Sequence, residues 1–167
     1  LQPVAASDHQ DPANAPGILA FTLGAEGSPE ALCTPGGGSR EPLTPERLAQ
    51  GRQYMQMDGK SVFKWAVRCV VDSTKDVLAN SGYTLQDVDL VVMHQANTRI
   101  IDAVLDDLKI PAQKVIVNLD RYGNTSAASI PLALHEANLQ GRLQKGKLIL
   151  LCGFGAGLTW GTALVRY

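Results

Sequence analysis

An imidazole, a carboxamide and a glycine-rich turn are the three places in this sequence from which chemistry could be done. His94 opens HQAN straight after the apolar run LVVM, so a side chain able to hold or release a proton near neutral pH stands at a strand end. Loops anchored in this way carry chemistry more often than cores do. Thirty residues on, Asn124 lies in GNTSAAS, and thirty further on Phe154 lies in GFGAGLTWG. In open α/β sheets ligands sit in the crevice at strand ends, so three polar or glycine-rich connections can converge on one site. Taken singly, each has a plainer reading. His94 can be satisfied by backbone, Asn124 can be the left-handed residue of a Gly-Asn turn that caps the next helix, and GFGAG can be hairpin punctuation. Other candidates are weaker: His9 sits in a polar leader, and His135 in LHEANL lacks the second histidine of a zinc-binding HExxH. TPGGGSRE lacks the GK[ST] ending of a phosphate loop and reads as a surface loop. Cys33, Cys69 and Cys152 are an odd number at no metal-like or paired spacing, so they are expected to be reduced, with no disulfide framework and no metal site.

The elements that must hold these residues follow from pattern and punctuation. The opening LQPV has strand character without a start signal, as in a chain entered partway, and a polar loop runs from Ala5 to Pro16. GILAFTLGA, Gly17 to Ala25, reads as a strand, and TPGGGSREPLTPE, Thr34 to Glu46, as a long surface loop. Asp58 offers an N-cap for a long helix with Val62, Trp65 or Ala66, Cys69, Ser73 and Val77 on one face and Gly82 closing it. Lys60, Lys64 and Arg68 recur on its opposite face. LVVM, residues 90 to 93, is a strand. From Asn97 a second helix buries Ile100, Ile101, Val104, Leu105 and Leu108 and ends before Pro111. VIVN, Val115 to Asn118, reads as a third strand, Thr125 to Asn138 as a helix, LILLC as an apolar strand, and TALVRY as a last strand returning antiparallel. On this reading Cys69 lies on the apolar side of a helix, Cys152 ends a buried strand and Cys33 sits in a loop, where cysteines are inert small hydrophobes. The pattern predicts an α/β fold, a mixed five-stranded sheet covered by helices on both faces.

The chain's 167 residues fit one ordinary domain, and 45% apolar with 19% charged residues is a globular composition. Fifteen basic against sixteen acidic residues leave a net charge of -1, which offers no global field for nucleic acid or an anionic membrane. No apolar stretch reaches the roughly 18 residues of a membrane span, and the first residues lack the regions of a signal peptide, so a cytoplasmic location is expected.

HQAN, GNTSAAS and GFGAGLTWG at these spacings closely resemble the C-terminal half of β-ketoacyl-acyl-carrier-protein synthase III, a condensing enzyme of the thiolase fold. The resemblance runs from about Leu1 to Tyr167 and is strongest from Phe63 onward. It implies one half of a thiolase-like fold and a Cys-His-Asn triad, with His94 and Asn124 in the last two places. The reaction implied is transfer of an acyl group from coenzyme A to the cysteine, followed by attack of the carbanion made by decarboxylating malonyl-acyl-carrier-protein. A neutral imidazole NH and an amide NH would steady the enolate oxygen, and an apolar strand before His94 favours the uncharged ring.

The resemblance further implies that Phe154 shields the cysteine, that the Ala156 amide serves the thioester oxyanion hole within the Phe154, Gly155, Ala156 turn, and that Phe63, Ala96 and Asn97 line the pantetheine tunnel. Lys64 and Arg99 match positions that dock the acidic carrier protein, with Lys60 and Arg68 on the same basic stripe, whereas Asp106 and Asp107 stand where relatives can carry lysines. No cofactor is implied beyond the coenzyme A thioester as substrate. The implied partners are acyl-CoA, malonyl-acyl-carrier-protein, an N-terminal half bearing the nucleophilic cysteine, and a second copy in a homodimer. None of the three cysteines here matches the nucleophile's setting, so this chain is expected to work only with that other half. The alternatives are a specialised condensing or acyl-transfer enzyme of secondary metabolism, and a structural half pairing with an active subunit, for which both His94 and Asn124 would be superfluous.

Overall fold

The computed structural model describes residues 15–167, so the expectations for LQPV, the leader loop and His9 lie outside the described residues. In chain order the elements are strands β1 (Gly17–Ala25) and β2 (Leu32–Cys33), helix α1 (Pro45–Ala49), strand β3 (Gln56–Met57), helix α2 (Gly59–Ser81), strand β4 (Leu90–Met93) and helix α3 (Thr98–Leu108). Helices α4 (Leu119–Tyr122) and α5 (Ser129–Leu139) and strands β5 (Leu148–Gly155) and β6 (Thr159–Arg166) complete the chain.

Four strands form one mixed sheet in the order β1-β6-β5-β4, with β4 and β5 parallel and the other two pairings antiparallel. The fifth strand expected at VIVN does not form: the segment meets β4 only through an isolated parallel bridge, Val91 to Val115, and one further hydrogen bond, Ile116 N–H to the Val91 carbonyl at 3.3 Å. Its remaining polar groups are met by a side chain rather than by a ladder: Gln95, itself buried, donates from Nε2 to the carbonyls of Met93 and Ile116 and accepts the Asn118 N–H on Oε1. β2 and β3 pair only with each other, which places Cys33 in a two-residue strand rather than in a loop.

Helices α1, α2 and α3 each start at a side-chain cap. Asp58 Oδ1 accepts from the N–H groups of Lys60 and Ser61, and Gly82 closes α2 in the left-handed conformation at φ 74. Asn97 Oδ1 accepts the Arg99 N–H to open α3. Thr44 caps α1, which interrupts the far end of the loop expected over Thr34 to Glu46. The helix expected from Thr125 begins at Ser129, because residues 126–128 wind as a tighter 3-10 turn. Pro131 is thereby the third residue of α5, where a missing N–H breaks no helical bond.

Helices cover both faces of the sheet. Trp65, Ala66, Cys69, Val70 and Val77 of α2, with Ile100, Ile101 and Val104 of α3, pack on Val91, Met93, Leu148, Leu150, Cys152 and Leu164. Ala133 and Ala137 of α5 pack on Leu90, Val92, Ile116 and Ile149 from the other side. A buried hydroxyl pair, Ser73 to Thr162 at 2.7 Å, ties α2 to β6. α5 does not cover the whole sheet. On β1 Ile18, Phe21 and Leu23 remain 63%, 62% and 73% exposed, an apolar strip running alongside β6.

Candidate active site

His94 is the first residue past β4, yet its main chain is still fastened to the sheet: its N–H donates to the Cys152 carbonyl at 2.8 Å. The ring itself is held on two sides. Nδ1 lies 2.7 Å from the Ser129 hydroxyl at the start of α5, and the Phe154 ring meets the imidazole edge-on with centroids 5.2 Å apart. Nε2 is left for the cleft. Burial lowers the pKa of His94 below the ordinary imidazole value of 6.5, since a ring cut off from water holds a proton less readily.

Asn124 is oriented by its own turn. Its Oδ1 accepts the Ser126 N–H at 2.9 Å, which commits the oxygen and leaves the amide NH2 free. The left-handed positions of this turn fall at Gly123 and Ser126, φ 66 and φ 54, and not at Asn124 as the Gly-Asn reading expects. Nor does Asn124 cap a helix: its bond to Ser126 stays within the turn, and neither the 3-10 turn over 126–128 nor α5 carries a side-chain cap.

Behind the imidazole runs a row of aromatic rings. Phe154 packs edge-on to Trp65 at 6.3 Å, and Trp65 edge-on to Trp160 at 6.1 Å, with the Trp65 indole N–H donating to Glu26 Oε2 at 3.2 Å. Trp160 needs Gly24 beside it: a Cβ there would come within 2.1 Å of the indole. The motif GFGAGLTWG is therefore two paired strand ends and a short turn, with Gly153 opposite Gly161, Phe154 opposite Trp160 and Gly155 opposite Thr159.

These residues line one open cleft of about 1570 Å³. Its wall includes His94 and Asn124, the turn Phe154, Gly155 and Ala156, the expected tunnel residues Phe63, Ala96 and Asn97, and the basic residues Lys60, Lys64 and Arg99. Arg99 lies over the Phe63 ring at 5.6 Å, so a cation and an aromatic face guard one side of the mouth. Arg68, one helical turn beyond Lys64, is exposed on α2 and is not part of this wall. Asp106 and Asp107 are exposed on α3. The apolar strip of β1 also lines the cleft, with Met55 and Met57.

Cys69 and Cys152 are buried thiols whose pKa values burial pushes up to about 12 and about 11, the opposite of an activated nucleophile. Half-buried Cys33 lies on the cleft wall. Two residues of the site escape the sequence reading, Gln95 and Ser129. A glutamine between two apolar segments signals a buried polar group in need of partners, and Ser129 closes a run of small residues at a helix start. Neither pattern says which atoms it will meet.

A mixed sheet with helices on both faces and a cleft at its strand ends defines an α/β architecture of the thiolase type. Residues 78–167 match the family described as 3-Oxoacyl-[acyl-carrier-protein (ACP)] synthase III C terminal, and the chain belongs to that family. Among curated proteins, the β-ketoacyl-[acyl-carrier-protein] synthase III of Rhodopirellula baltica is 58% identical over 152 residues, 90% of this chain and 44% of its own length. The crystal structure of 3-oxoacyl-[acyl-carrier-protein] synthase III from Aquifex aeolicus superposes with a TM-score of 0.79 at 44% identity, covering 91% of this chain and 45% of that one. The priming β-ketosynthase of the R1128 polyketide biosynthetic pathway superposes at 0.78 with 35% identity, covering 91% and 45%. The chain thus spans a little under half the length of the relatives it matches.

Proposed function

We propose that this chain supplies the histidine and asparagine of a Cys-His-Asn triad in a 3-oxoacyl-acyl-carrier-protein synthase III that initiates fatty-acid synthesis. A cysteine on a companion N-terminal half attacks the thioester carbonyl of an acyl-CoA primer, and coenzyme A leaves as its thiol with the cysteine's proton. Malonyl-acyl-carrier-protein then loses carbon dioxide, and the electron pair of the broken bond becomes an enolate. The enolate carbon attacks the acyl-cysteine, the carbon–sulfur bond breaks with its electron pair going to sulfur, a 3-oxoacyl-acyl-carrier-protein departs, and the thiolate regains a proton from solvent. The enolate oxygen needs neutral donors fixed in advance. His94 Nε2 and Asn124 Nδ2 suit that task.

The observation that carries this reading is that each side chain has its other polar atom engaged, His94 Nδ1 by Ser129 and Asn124 Oδ1 by Ser126, while both line the same cleft. Phe63, Ala96 and Asn97 would flank the pantetheine arm, and Phe154 with the Gly155 and Ala156 turn would close over the cysteine. Lys64 and Arg99, with Lys60, would meet the acidic carrier protein at the mouth; Arg68, farther along the stripe, would act only through its field. The chemistry calls on no resident cofactor, coenzyme A entering as substrate. The exposed strip of β1 is the face the companion half would cover, in keeping with relatives about twice this length. The assembled enzyme would be a cytoplasmic homodimer. Among the described residues no helix is long and apolar enough to cross a membrane.

In the complete enzyme His94→Ala and Asn124→Ala should each slow malonyl decarboxylation by about 10²–10³-fold, the usual loss for one preorganised donor, while loading of the cysteine from acyl-CoA stays comparatively intact. Normal decarboxylation with lost loading would contradict the assignment. A second reading, priming of a secondary-metabolite pathway, is favoured by the likeness to the R1128 ketosynthase. Product formation against a panel of acyl-CoA primers and acceptors separates the two.

A further inference from the structure

One face of α5 carries Ser129, Ala133, Glu136 and Ala137, the residues that the helix buries. Ser129 and Glu136 stand about two turns apart on that stripe. The two alanines pack on the sheet, whereas a carboxylate so placed needs a polar partner. That partner is Arg121 of α4, whose Nη2 donates to Glu136 Oε2 at 2.7 Å and whose guanidinium lies over the Tyr122 ring at 5.5 Å. Little else holds α4: none of its residues is buried, and no side chain caps its start. It nevertheless leads directly into the Asn124 turn, since the Gly123 N–H closes it on the Leu119 carbonyl at 2.8 Å and Asn124 follows. The Asn124 side chain bonds within that turn, so the turn inherits its place in the cleft from α4. One helix thus reaches both donors, His94 through Ser129 and Asn124 through Glu136 and Arg121. We infer that Glu136 and Arg121 are positioning residues whose ion pair pins α4 to α5 and so holds the Asn124 amide in the cleft it shares with His94.

The inference rests on the reading of Asn124 as an enolate-oxygen donor, and adds what aims it. Neither Glu136 nor Arg121 lines the cleft, so their effect passes through the turn that they hold. A guanidinium on a carboxylate admits few geometries, whereas an apolar contact on a one-turn helix admits many. Because Glu136 is buried and Arg121 stands half in water, the pair can be broken from the Glu136 side without stranding a buried charge.

The test uses the complete enzyme. Coenzyme A released on loading counts the competent sites, and malonyl decarboxylation is expressed per loaded site. Glu136→Met, similar in length and volume, should lower that kcat by about 10- to 100-fold, the upper figure being the usual cost of a misplacement of about 1 Å, with KM for the malonyl thioester unchanged. Glu136→Gln keeps an oxygen for the guanidinium and should restore most of the rate. In an Asn124→Ala background Glu136→Met should cost nothing further, since the group it aims is already gone. An unaltered kcat per loaded site overturns the inference, and so does a loss that multiplies onto that of Asn124→Ala. If Glu136→Met fails to load, Arg121→Ala combined with Glu136→Gln, which strands no charge, must show the selective loss in its place; a normal rate there overturns the inference equally. If Asn124→Ala is crippled while the Glu136 and Arg121 variants are silent, the positioning role falls and the triad reading stands. If Asn124→Ala decarboxylates normally, both fall.

Discussion

His94 is fixed here by three independent contacts, its backbone N–H to a strand carbonyl and its ring to a serine hydroxyl and an aromatic ring. Such restraint is what an electrostatic catalyst needs, since a donor already aimed at the developing charge requires no reorganisation when the charge appears. Burial has a further consequence. Because the folded ring binds its proton less readily than the ring in an unfolded chain, unfolding takes up a proton in the window below pH 6.5. Stability contributed by the neutral ring is present above 6.5 and is lost as pH falls toward the depressed folded value. An NMR titration of the complete enzyme should accordingly place the His94 midpoint below 6.5; a midpoint at or above 6.5 would mean that the ring is solvated or paired with an anion. The identity of His94 and Asn124 as candidates was legible in the sequence because their motifs stand at strand ends. The second contact of His94 was not, since Ser129 is thirty-five residues away and nothing local links them.

At the scale of elements, legibility followed capping chemistry. The boundaries of α2 and α3 were readable because Asp58 and Asn97 each accept otherwise orphaned backbone N–H groups within three residues, and Gly82 takes the left-handed conformation that ends α2. The segment VIVN misled because three apolar residues in extended conformation imitate a ladder strand, whereas Val117 is exposed and the polar groups are claimed by Gln95 from another element. Similarly, the start of α5 depended on Pro131, whose ring would clash in the interior of a helix begun at Thr125 but fits the first turn of one begun at Ser129. Gln95 should therefore matter more than its neighbours. Gln95→Ala strands the Ile116 carbonyl and the Asn118 N–H in a buried setting, at about 1–3 kcal/mol for each unpaired group. Denaturant unfolding of the complete enzyme should show a loss of at least that size for one group. A change under about 0.5 kcal/mol, the range of an ordinary surface substitution, would show that the clamp carries no weight.

The molecule as a whole is asymmetric. One side of the sheet is filled by α2 and α3, the other only partly by α5, and the cleft with its polar wall opens onto the uncovered remainder of β1 and β6. No periodicity in the sequence announces that face, since a strand whose apolar residues alternate reads the same whether its partner belongs to this chain or to another. If a companion half covers the strip, Phe21→Asp in the complete enzyme buries an unpaired carboxylate and should lower stability by several kcal/mol. With the strip facing water the same substitution would be nearly neutral. The central claim, however, concerns where one oxygen atom rests. A crystal structure of the complete enzyme with a malonyl thioester analogue that cannot lose carbon dioxide measures this directly. The thioester oxygen is expected within about 2.7–3.1 Å of both His94 Nε2 and Asn124 Nδ2, the reach of a preorganised donor pair. That oxygen held by other groups, with either side chain turned from it, would contradict the account.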